Sequence, residues 1–173
     1  MSLRYLYLLL LLVSTYSAYG SSLVVSWGDA SRGGDSRSVA SELYNSVSAI
    51  YSTDRAFAAL KDDGSVVTWG VGSYGGDSSV YGWLGLNIIS VASELSSGVS
   101  TIYSTRHAFA ALKEDGSVVT WGVPDEGGNS SGVAEKLSDG VQTVVGNNKA
   151  FAAVKHEGSV VTWGLAREGG DSN

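Results

Sequence analysis

The chain has 173 residues, of which 43% are hydrophobic and 16% are charged, and it contains 23 glycines, one proline and no cysteine. This composition is typical of a folded globular domain, and the lack of cysteine excludes disulfide scaffolds, thiolate metal sites and cysteine nucleophiles. The formal net charge of −6 creates a field that repels phosphate backbones, so we expect no nucleic-acid partner.

The first twenty residues, MSLRYLYLLLLLVSTYSAYG, have the pattern of a secretory signal peptide. Arg4 precedes an apolar run from Tyr5 to Val13, and Ala18 and Gly20 are the small residues expected at a cleavage site. The run is much shorter than the roughly 20 residues that cross a bilayer, so we expect no stable membrane span. The sequence therefore predicts cleavage after Gly20 and a secreted protein. Alternatively the segment is retained as an apolar strand, because it precedes Trp27 where other repeats place strands.

An internal repeat occupies the rest of the chain. Tyr51 to Gly70 reads YSTDRAFAALKDDGSVVTWG, and Tyr103 to Gly122 reads YSTRHAFAALKEDGSVVTWG. Four tryptophans recur at intervals of 42, 52 and 42 residues, which indicates a 42-residue unit with a ten-residue insertion at approximately Val80 to Ile89. We predict a repeat domain over 21–173, with a partial unit at 21–46, a unit with the insertion at 47–98, a unit at 99–140 and a truncated unit at 141–173.

Each unit has the local chemistry of strands joined by tight turns. Asp63-Gly64 and Asp115-Gly116 lie between apolar runs, where glycine supplies the positive φ of a hairpin turn. These runs are apolar on both faces, as expected when small sheets stack face to face like propeller blades. Val47 to Ser52 and Val99 to Ser104 are predicted as a third strand. The sequence therefore predicts an all-β fold, a partial β-propeller whose units contain about three antiparallel strands.

The segments between units leave two interpretations open. In Val39 to Leu43, Val91 to Leu95 and Val133 to Leu137, a valine and a leucine four residues apart would share one side of a helical turn. Ser36 or Ser78 would cap such a turn. An outer edge strand is the other interpretation.

A Trp-Gly-x4-Gly motif recurs in every unit. Preceded by a glycine turn and an AFAAL-type strand, it makes the repeat resemble those of the regulator of chromosome condensation family and of bacterial beta-lactamase inhibitor protein type II. The resemblance implies the fold of seven-bladed propellers, which bind partner proteins through loops on one rim. Only the structural motif carries over to this chain, namely Trp27, Gly28, Gly33, Trp69, Gly70, Gly75, Trp121, Gly122, Gly127, Trp163, Gly164 and Gly169. The family usually has glutamine after the last of these glycines, and the glycines found there instead argue against exchange-factor activity: Gly34, Gly76, Gly128 and Gly170.

The number of units is smaller than the resemblance implies. Residues 21–173 contain about 3.6 units of 42 residues. Two chains would supply about seven, so a homodimer that completes a ring is one expectation. A short open arc and a fragment of a longer gene are the other two.

No sequence motif indicates catalysis, a cofactor or a metal. His107 and His156 have no ligand spacing and are predicted to be surface loop residues. Asp35, Asp77 and Asp171 recur at one repeat position and are predicted to form turns rather than to bind calcium. The four repeat tryptophans are predicted to pack between blades. We therefore expect no enzymatic activity, no cofactor and no metal.

The units differ mainly in the loops before the second strand, at Asp54-Arg55, Arg106-His107 and Asn148-Lys149, and after each Trp-Gly, at 29–32, 71–74, 123–126 and 165–168. A fixed frame with varied loops is typical of recognition modules. The insertion adds an apolar group in which Trp83 either covers a sheet face or edge, or anchors a partner. The candidate partner-binding residues are Arg55, Tyr74, Tyr81, Trp83, Arg106, His107 and Lys149.

Together these features predict a secreted, non-enzymatic repeat protein that binds a protein or a surface glycan through rim loops. One alternative is a truncated or recently duplicated repeat fragment without a defined activity, because drift after duplication produces the same variation. Another is a guanine-nucleotide-exchange-like regulator or a hydrolase.

Overall fold

The computed structural model describes residues 24–79 and 90–171, which form three similar antiparallel sheets. Each sheet has three strands in chain order, joined by short turns. The first sheet contains β1 (Val47–Ser52), β2 (Ala56–Lys61) and β3 (Val66–Gly70); the second contains β4 (Val99–Ser104), β5 (Ala108–Lys113) and β6 (Val118–Gly122); the third contains β7 (Val141–Gly146), β8 (Ala150–Lys155) and β9 (Val160–Gly164). The predicted all-β partial propeller, with three antiparallel strands in a unit, is confirmed.

Short 3₁₀ helices supply the remaining regular structure of the described residues. They are Ala30–Arg32, Arg37–Val39, Gly72–Tyr74, Pro124–Glu126, Ser131–Leu137 and Ala166–Glu168. Within the described part of the chain, no helix is long and apolar enough to span a membrane. The predicted signal peptide at 1–20 and the insertion at 80–89, with Tyr81 and Trp83, lie outside the described residues.

The hairpin turns follow the sequence prediction. Gly64, Gly116 and Gly158 have φ values of 76°, 80° and 89°, in the left-handed region that glycine enters without strain. The aspartate before the first of these glycines stabilises its turn, because the Asp63 Oδ1 atom accepts a hydrogen bond of 2.9 Å from the backbone N–H of Ser65. These turns pair the second and third strands of every sheet in the same register, which places Phe57 opposite Trp69.

The segments between the units form helical turns rather than edge strands. Arg37–Val39 and Ser131–Leu137 contain 3₁₀ helix, and Leu95 N–H donates to the carbonyl of Val91 at 3.1 Å. The leucines that end these segments are buried: Leu43, Leu95 and Leu137. The prediction that Ser36 caps the first turn is wrong, because its side chain makes no capping hydrogen bond. Instead the Asp35 Oδ1 atom accepts a hydrogen bond of 3.0 Å from the backbone N–H of Arg37.

Neighbouring units are joined by one repeated clamp made of an indole, a phenyl ring and a glycine. The Nε1–H group of Trp121 donates to the carbonyl of Gly75 in the preceding unit at 3.1 Å, and its ring stacks on Phe109 with ring centroids 5.1 Å apart. Trp69 with Gly33 and Trp163 with Gly127 repeat the same bond at 3.1 Å. These three tryptophans are buried between units, as predicted.

The glycine of this clamp is required for two separate reasons. Gly75 has a φ of 94°, and a Cβ atom built on it would lie 2.5 Å from the Cδ2 atom of Phe109. A side chain at this position would therefore be strained by its backbone and would also overlap the aromatic ring.

Trp27 does not pack between blades, and for this residue the prediction is wrong. It is 84% exposed. In the three clamps, the carbonyl that accepts the indole N–H belongs to the preceding unit.

Candidate functional site

One end of the three sheets carries five of the seven predicted partner-binding residues. Because the strands are antiparallel, the loop between the first and second strands and the 3₁₀ turn after the third strand lie at the same end of each sheet. We call this end the loop rim. It consists of the loops at 53–55, 105–107 and 147–149 together with Gly72–Tyr74, Pro124–Glu126 and Ala166–Glu168.

A polar side chain at the start of each loop ties it to the neighbouring 3₁₀ turn. The Thr105 Oγ1 atom donates to the carbonyl of Glu126 at 3.2 Å and accepts the backbone N–H of Ala108 at 2.9 Å. Thr53 makes the same pair of bonds in the first sheet, and Asn147 replaces the threonine in the third. The two parts of the rim are therefore held in a fixed relation within every unit.

Backbone hydrogen bonds also join the loops of successive units. The N–H of Asp54 donates to the carbonyl of Arg106 at 2.8 Å, and the N–H of Arg106 donates to the carbonyl of Asn148 at 3.1 Å. These bonds involve no side chain of the variable positions. The loop rim is consequently a continuous platform across three units.

Glu126 is the centre of a charged network on this platform. Its Oε1 atom accepts a hydrogen bond of 2.7 Å from the Nζ atom of Lys149, in the next unit, and its Oε2 atom is paired with the Nδ1 atom of His107. The Glu126 side chain is only 16% exposed. On the other side of His107, the Nε2 atom lies 3.6 Å from the Oδ2 atom of Asp54, which is also 3.7 Å from the Nε atom of Arg106.

The ionisation of Glu126 follows from these contacts. Burial alone raises the pKa of this carboxyl group, but the hydrogen bonds and charges of Lys149 and His107 outweigh burial and hold the pKa below its ordinary value of 4.5. Glu126 is therefore a carboxylate at neutral pH and pairs with the Lys149 cation.

Aromatic contacts extend the network to the first sheet. The rings of Tyr74 and His107 meet edge to face, with centroids 4.7 Å apart and an interplanar angle of 80°. The guanidinium carbon of Arg55 lies 5.0 Å from the centroid of the Tyr74 ring, within the range of a cation–π contact. One chain of contacts therefore runs across three units, from Arg55 through Tyr74, His107 and Glu126 to Lys149.

The structure thus brings five of the seven candidate binding residues to one surface: Arg55, Tyr74, Arg106, His107 and Lys149. Sequence reasoning missed Asp54 and Glu126, although both lie in loop stretches that vary between units. His107 lies in a loop, as predicted, but its side chain is only 21% exposed because Glu126, Asp54 and Tyr74 surround it. His156 is exposed in a hairpin turn, as predicted.

A polar groove of ≈510 Å³ lies beside this network. Its walls come from all three loops and include Thr53, Asp54, Arg106, Asn148 and Glu168. Hydroxyl, amide, carboxylate and guanidinium groups line it together, so the groove can both donate and accept hydrogen bonds.

The described residues offer no cluster of three His, Asp or Glu side chains that would hold a metal ion. Two of the recurring aspartates accept hydrogen bonds from backbone N–H groups in turns, as predicted. Asp35 Oδ1 accepts the N–H of Arg37 at 3.0 Å, and Asp77 Oδ1 accepts the N–H of Ser79 at 2.8 Å. The loop rim itself presents charged groups together with hydrogen-bond donors and acceptors.

The stacked sheets and their shared rim define a partial β-propeller. No family model matches the chain, and no curated protein matches it. Yeast RCC1 (Prp20), in its complex with Kap60, shares the fold with a TM-score of 0.51 and 17% sequence identity, over 80% of this chain and 38% of that chain. The repeats of this protein therefore have the fold of RCC1-type propeller repeats, as the sequence resemblance predicted.

Other solved structures are similar at lower TM-scores. Human WBSCR16 has a TM-score of 0.47 and 18% identity over 68% of this chain and 33% of that chain. The CRINKLY ectodomain of the Arabidopsis thaliana receptor kinase ACR4 has a TM-score of 0.43 and 17% identity over 72% of this chain and 38% of that chain. The chain spans between 33% and 38% of the length of these three structures.

Proposed function

We propose that this chain is an exported, non-enzymatic binding module that recognises a protein partner through the loop rim. The observation that carries the proposal is the continuous network from Arg55 to Lys149, because positions that vary between the units converge on one surface. A rigid platform with variable side chains is how repeat scaffolds present a binding surface.

The side chains of the rim favour a protein over a glycan. Sugar rings stack on open aromatic faces, but Tyr74 is engaged by Arg55 and His107, and the tryptophans of the three clamps are buried. Cations and carboxylates alternate on the rim, which suits a partner with charges of both signs. The similar propeller of yeast RCC1 is known in complex with a protein, Kap60.

The opposite end of the sheets is a poorer surface for most partners. Its hairpins carry three lysines, Lys61, Lys113 and Lys155, but expose a larger number of carboxylates: Asp62, Asp63, Glu114, Asp115 and Glu157. A partner docking there would have to match or desolvate this negative charge. We therefore assign binding to the loop rim and use the hairpin end as the control surface.

Export is the second part of the proposal, and it rests on the signal-like pattern of residues 1–20. The sequence contains no cysteine, so its fold requires no disulfide in any redox compartment. When the chain is expressed with its own leader, the mature product should be recovered outside the cell with Ser21 as its first residue. A product that stays in the cell with Met1 intact would contradict export.

Site-directed cross-linking tests the binding surface. A photoreactive phenylalanine derivative replaces either Arg106, on the loop rim, or Lys61, at the hairpin end, and each protein is exposed to surface and secreted proteins of the source organism. We expect a discrete adduct from position 106 and none from position 61. Excess unlabelled wild-type chain should suppress the adduct, whereas the R106E variant should compete at least tenfold less well.

The matched control is K61E, which changes the net charge by the same amount and should compete like the wild type. Equal adducts from both positions, an adduct from position 61 alone, or none from either position would refute the assignment to the loop rim. An adduct with oligosaccharide instead of protein would refute the choice of partner class.

A further inference from the structure

One triplet in the chain, Asn129-Ser130-Ser131, has the Asn-x-Ser pattern of N-linked glycosylation, and no other asparagine of the 173 residues is in such a triplet. A triplet alone is a weak signal, since many are buried or rigidly bonded. Its surroundings therefore decide whether it can be an acceptor.

Asn129 is exposed and lies in a turn that leaves its amide nitrogen available. The Oδ1 atom accepts a hydrogen bond of 2.9 Å from the backbone N–H of Ser131, whereas the Nδ2 atom makes no hydrogen bond in the described part of the chain. Ser131, which completes the triplet, is exposed as well. The turn thus presents the nucleophilic nitrogen and the serine on the same accessible segment.

The equivalent turns show that the fold uses only the oxygen of this side chain. Asp35 and Asp77 occupy the same repeat position and accept the same backbone bond, from Arg37 at 3.0 Å and from Ser79 at 2.8 Å. Aspartate cannot accept a glycan. Asn129 keeps the turn and adds a nitrogen that the turn does not require.

The surrounding backbone anchors this turn at the outer strand of the middle sheet. The Thr120 Oγ1 atom on β6 donates to the carbonyl of Gly128 at 3.1 Å and lies 3.0 Å from the Oγ atom of Ser130. Asn129 therefore lies in a turn that is held against β6 and that follows the Pro124–Glu126 turn of the loop rim.

We propose that Asn129 is an N-glycosylation site of this protein, an inference that rests on the export part of the proposed function. The donor is a polyprenyl-diphosphate-linked oligosaccharide. A bond forms between Asn129 Nδ2 and the anomeric carbon of the first sugar, the bond from that carbon to the diphosphate oxygen breaks, and Nδ2 loses one proton. The polyprenyl diphosphate is the leaving group.

Expression of the full chain in a eukaryotic secretory host tests the proposal, once with its own leader and once with an unrelated signal peptide placed before Ser21. We expect the secreted protein to show one discrete upward shift on a denaturing gel. An amidase that cleaves glycosyl-asparagine bonds should remove the shift and convert Asn129 to Asp, which peptide mass spectrometry detects.

Four variants make the test specific. N129D should lose the shift completely while it folds like the wild type, because Asp77 already supports the same turn. S131A should also lose the shift, and S131T should keep it. N148Q, which changes an exposed asparagine outside any triplet, should leave it unaltered.

The outcomes separate the two proposals. A protein that is secreted but unshifted, or a shift that survives in N129D, would overturn the glycosylation site. A protein that is shifted with the unrelated signal peptide but retained in the cell with its own leader would overturn export and leave the acceptor site standing.

Discussion

At the scale of single residues, Glu126 shows how a partly buried carboxylate organises a surface. It joins Lys149 in one unit to His107 in another, and both partners keep its pKa below the ordinary value of 4.5 although burial acts in the opposite direction. An ion pair of this kind contributes more than an exposed one, because less water screens the charges.

The substitution E126Q should destabilise the fold by about 1 to 2 kcal/mol at pH 7, since the charged hydrogen bonds are lost. A carboxylate whose pKa is lowered on folding stabilises the protein above its unfolded pKa, and this contribution disappears as pH falls through the folded pKa. The difference in unfolding free energy between wild type and E126Q should therefore be full above about pH 5 and should shrink as the pH falls below 4.5.

Urea unfolding at several pH values measures this difference. E157Q is the control, because Glu157 lies in an exposed hairpin turn, where its Oε1 atom accepts a hydrogen bond from the hydroxyl of Ser159. It should unfold like the wild type at neutral pH. A difference for E126Q that stays constant from pH 7 to pH 3 would contradict the role of Glu126 as a carboxylate.

Sequence reasoning reached part of this site, and the reason is physical. The unit-to-unit comparison singled out Arg55, Arg106, His107 and Lys149 because they lie in loops whose residues differ between the units. Asp54 and Glu126 lie in the same variable loops but were not among the candidates. Their importance depends on contacts between units, which no local pattern contains.

At the scale of one element, the clamp of tryptophan, phenylalanine and glycine determines how the units stack. The chain holds two glycines with nearly the same backbone but different surroundings. Gly75 has a φ of 94° and faces Phe109, whereas Gly169 has a φ of 93° and would place a Cβ atom in open space. This pair separates backbone strain from steric overlap.

The substitution G169A should therefore cost about 1 kcal/mol, the strain of a left-handed alanine. G75A should cost this strain plus roughly 1 to 3 kcal/mol for overlap with the Phe109 ring. Denaturant unfolding of both variants measures the two values. Equal losses would show that the overlap relaxes without cost and that the clamp is softer than its geometry indicates.

The elements themselves were largely predictable. Asp-Gly pairs between apolar runs specify hairpins locally, so the strands and turns of the described sheets could be read from the sequence. The exposure of Trp27 could not be predicted from the sequence. Whether an indole is buried depends on contacts with the preceding unit, and its own motif does not contain these contacts.

At the scale of the whole molecule, the middle of the three described sheets packs between the other two, whereas the third packs against one described sheet. All residues of β6 but the first are buried, whereas the equivalent strand β9 alternates and leaves Val160 55% exposed. In a repeat array, stability is shared between neighbours, so units with fewer neighbours open more readily.

Amide hydrogen exchange should therefore be slower in β6 than in the equivalent strand β9, which should exchange at least tenfold faster. Mass spectrometry of peptides that cover 118–122 and 160–164 measures both rates. Equal protection in the two strands would indicate that the three sheets open as one unit, or that another surface covers the outer face of β9.

The bonds that tie the loop of one unit to the loop of the next have an evolutionary consequence. Because Asp54, Arg106 and Asn148 are linked through main-chain atoms, mutation can exchange their side chains while the spacing of the loops persists. Selection can thus change the side chains of one loop without moving the backbone of the others. A scaffold of this kind is a convenient starting point for engineered affinity reagents.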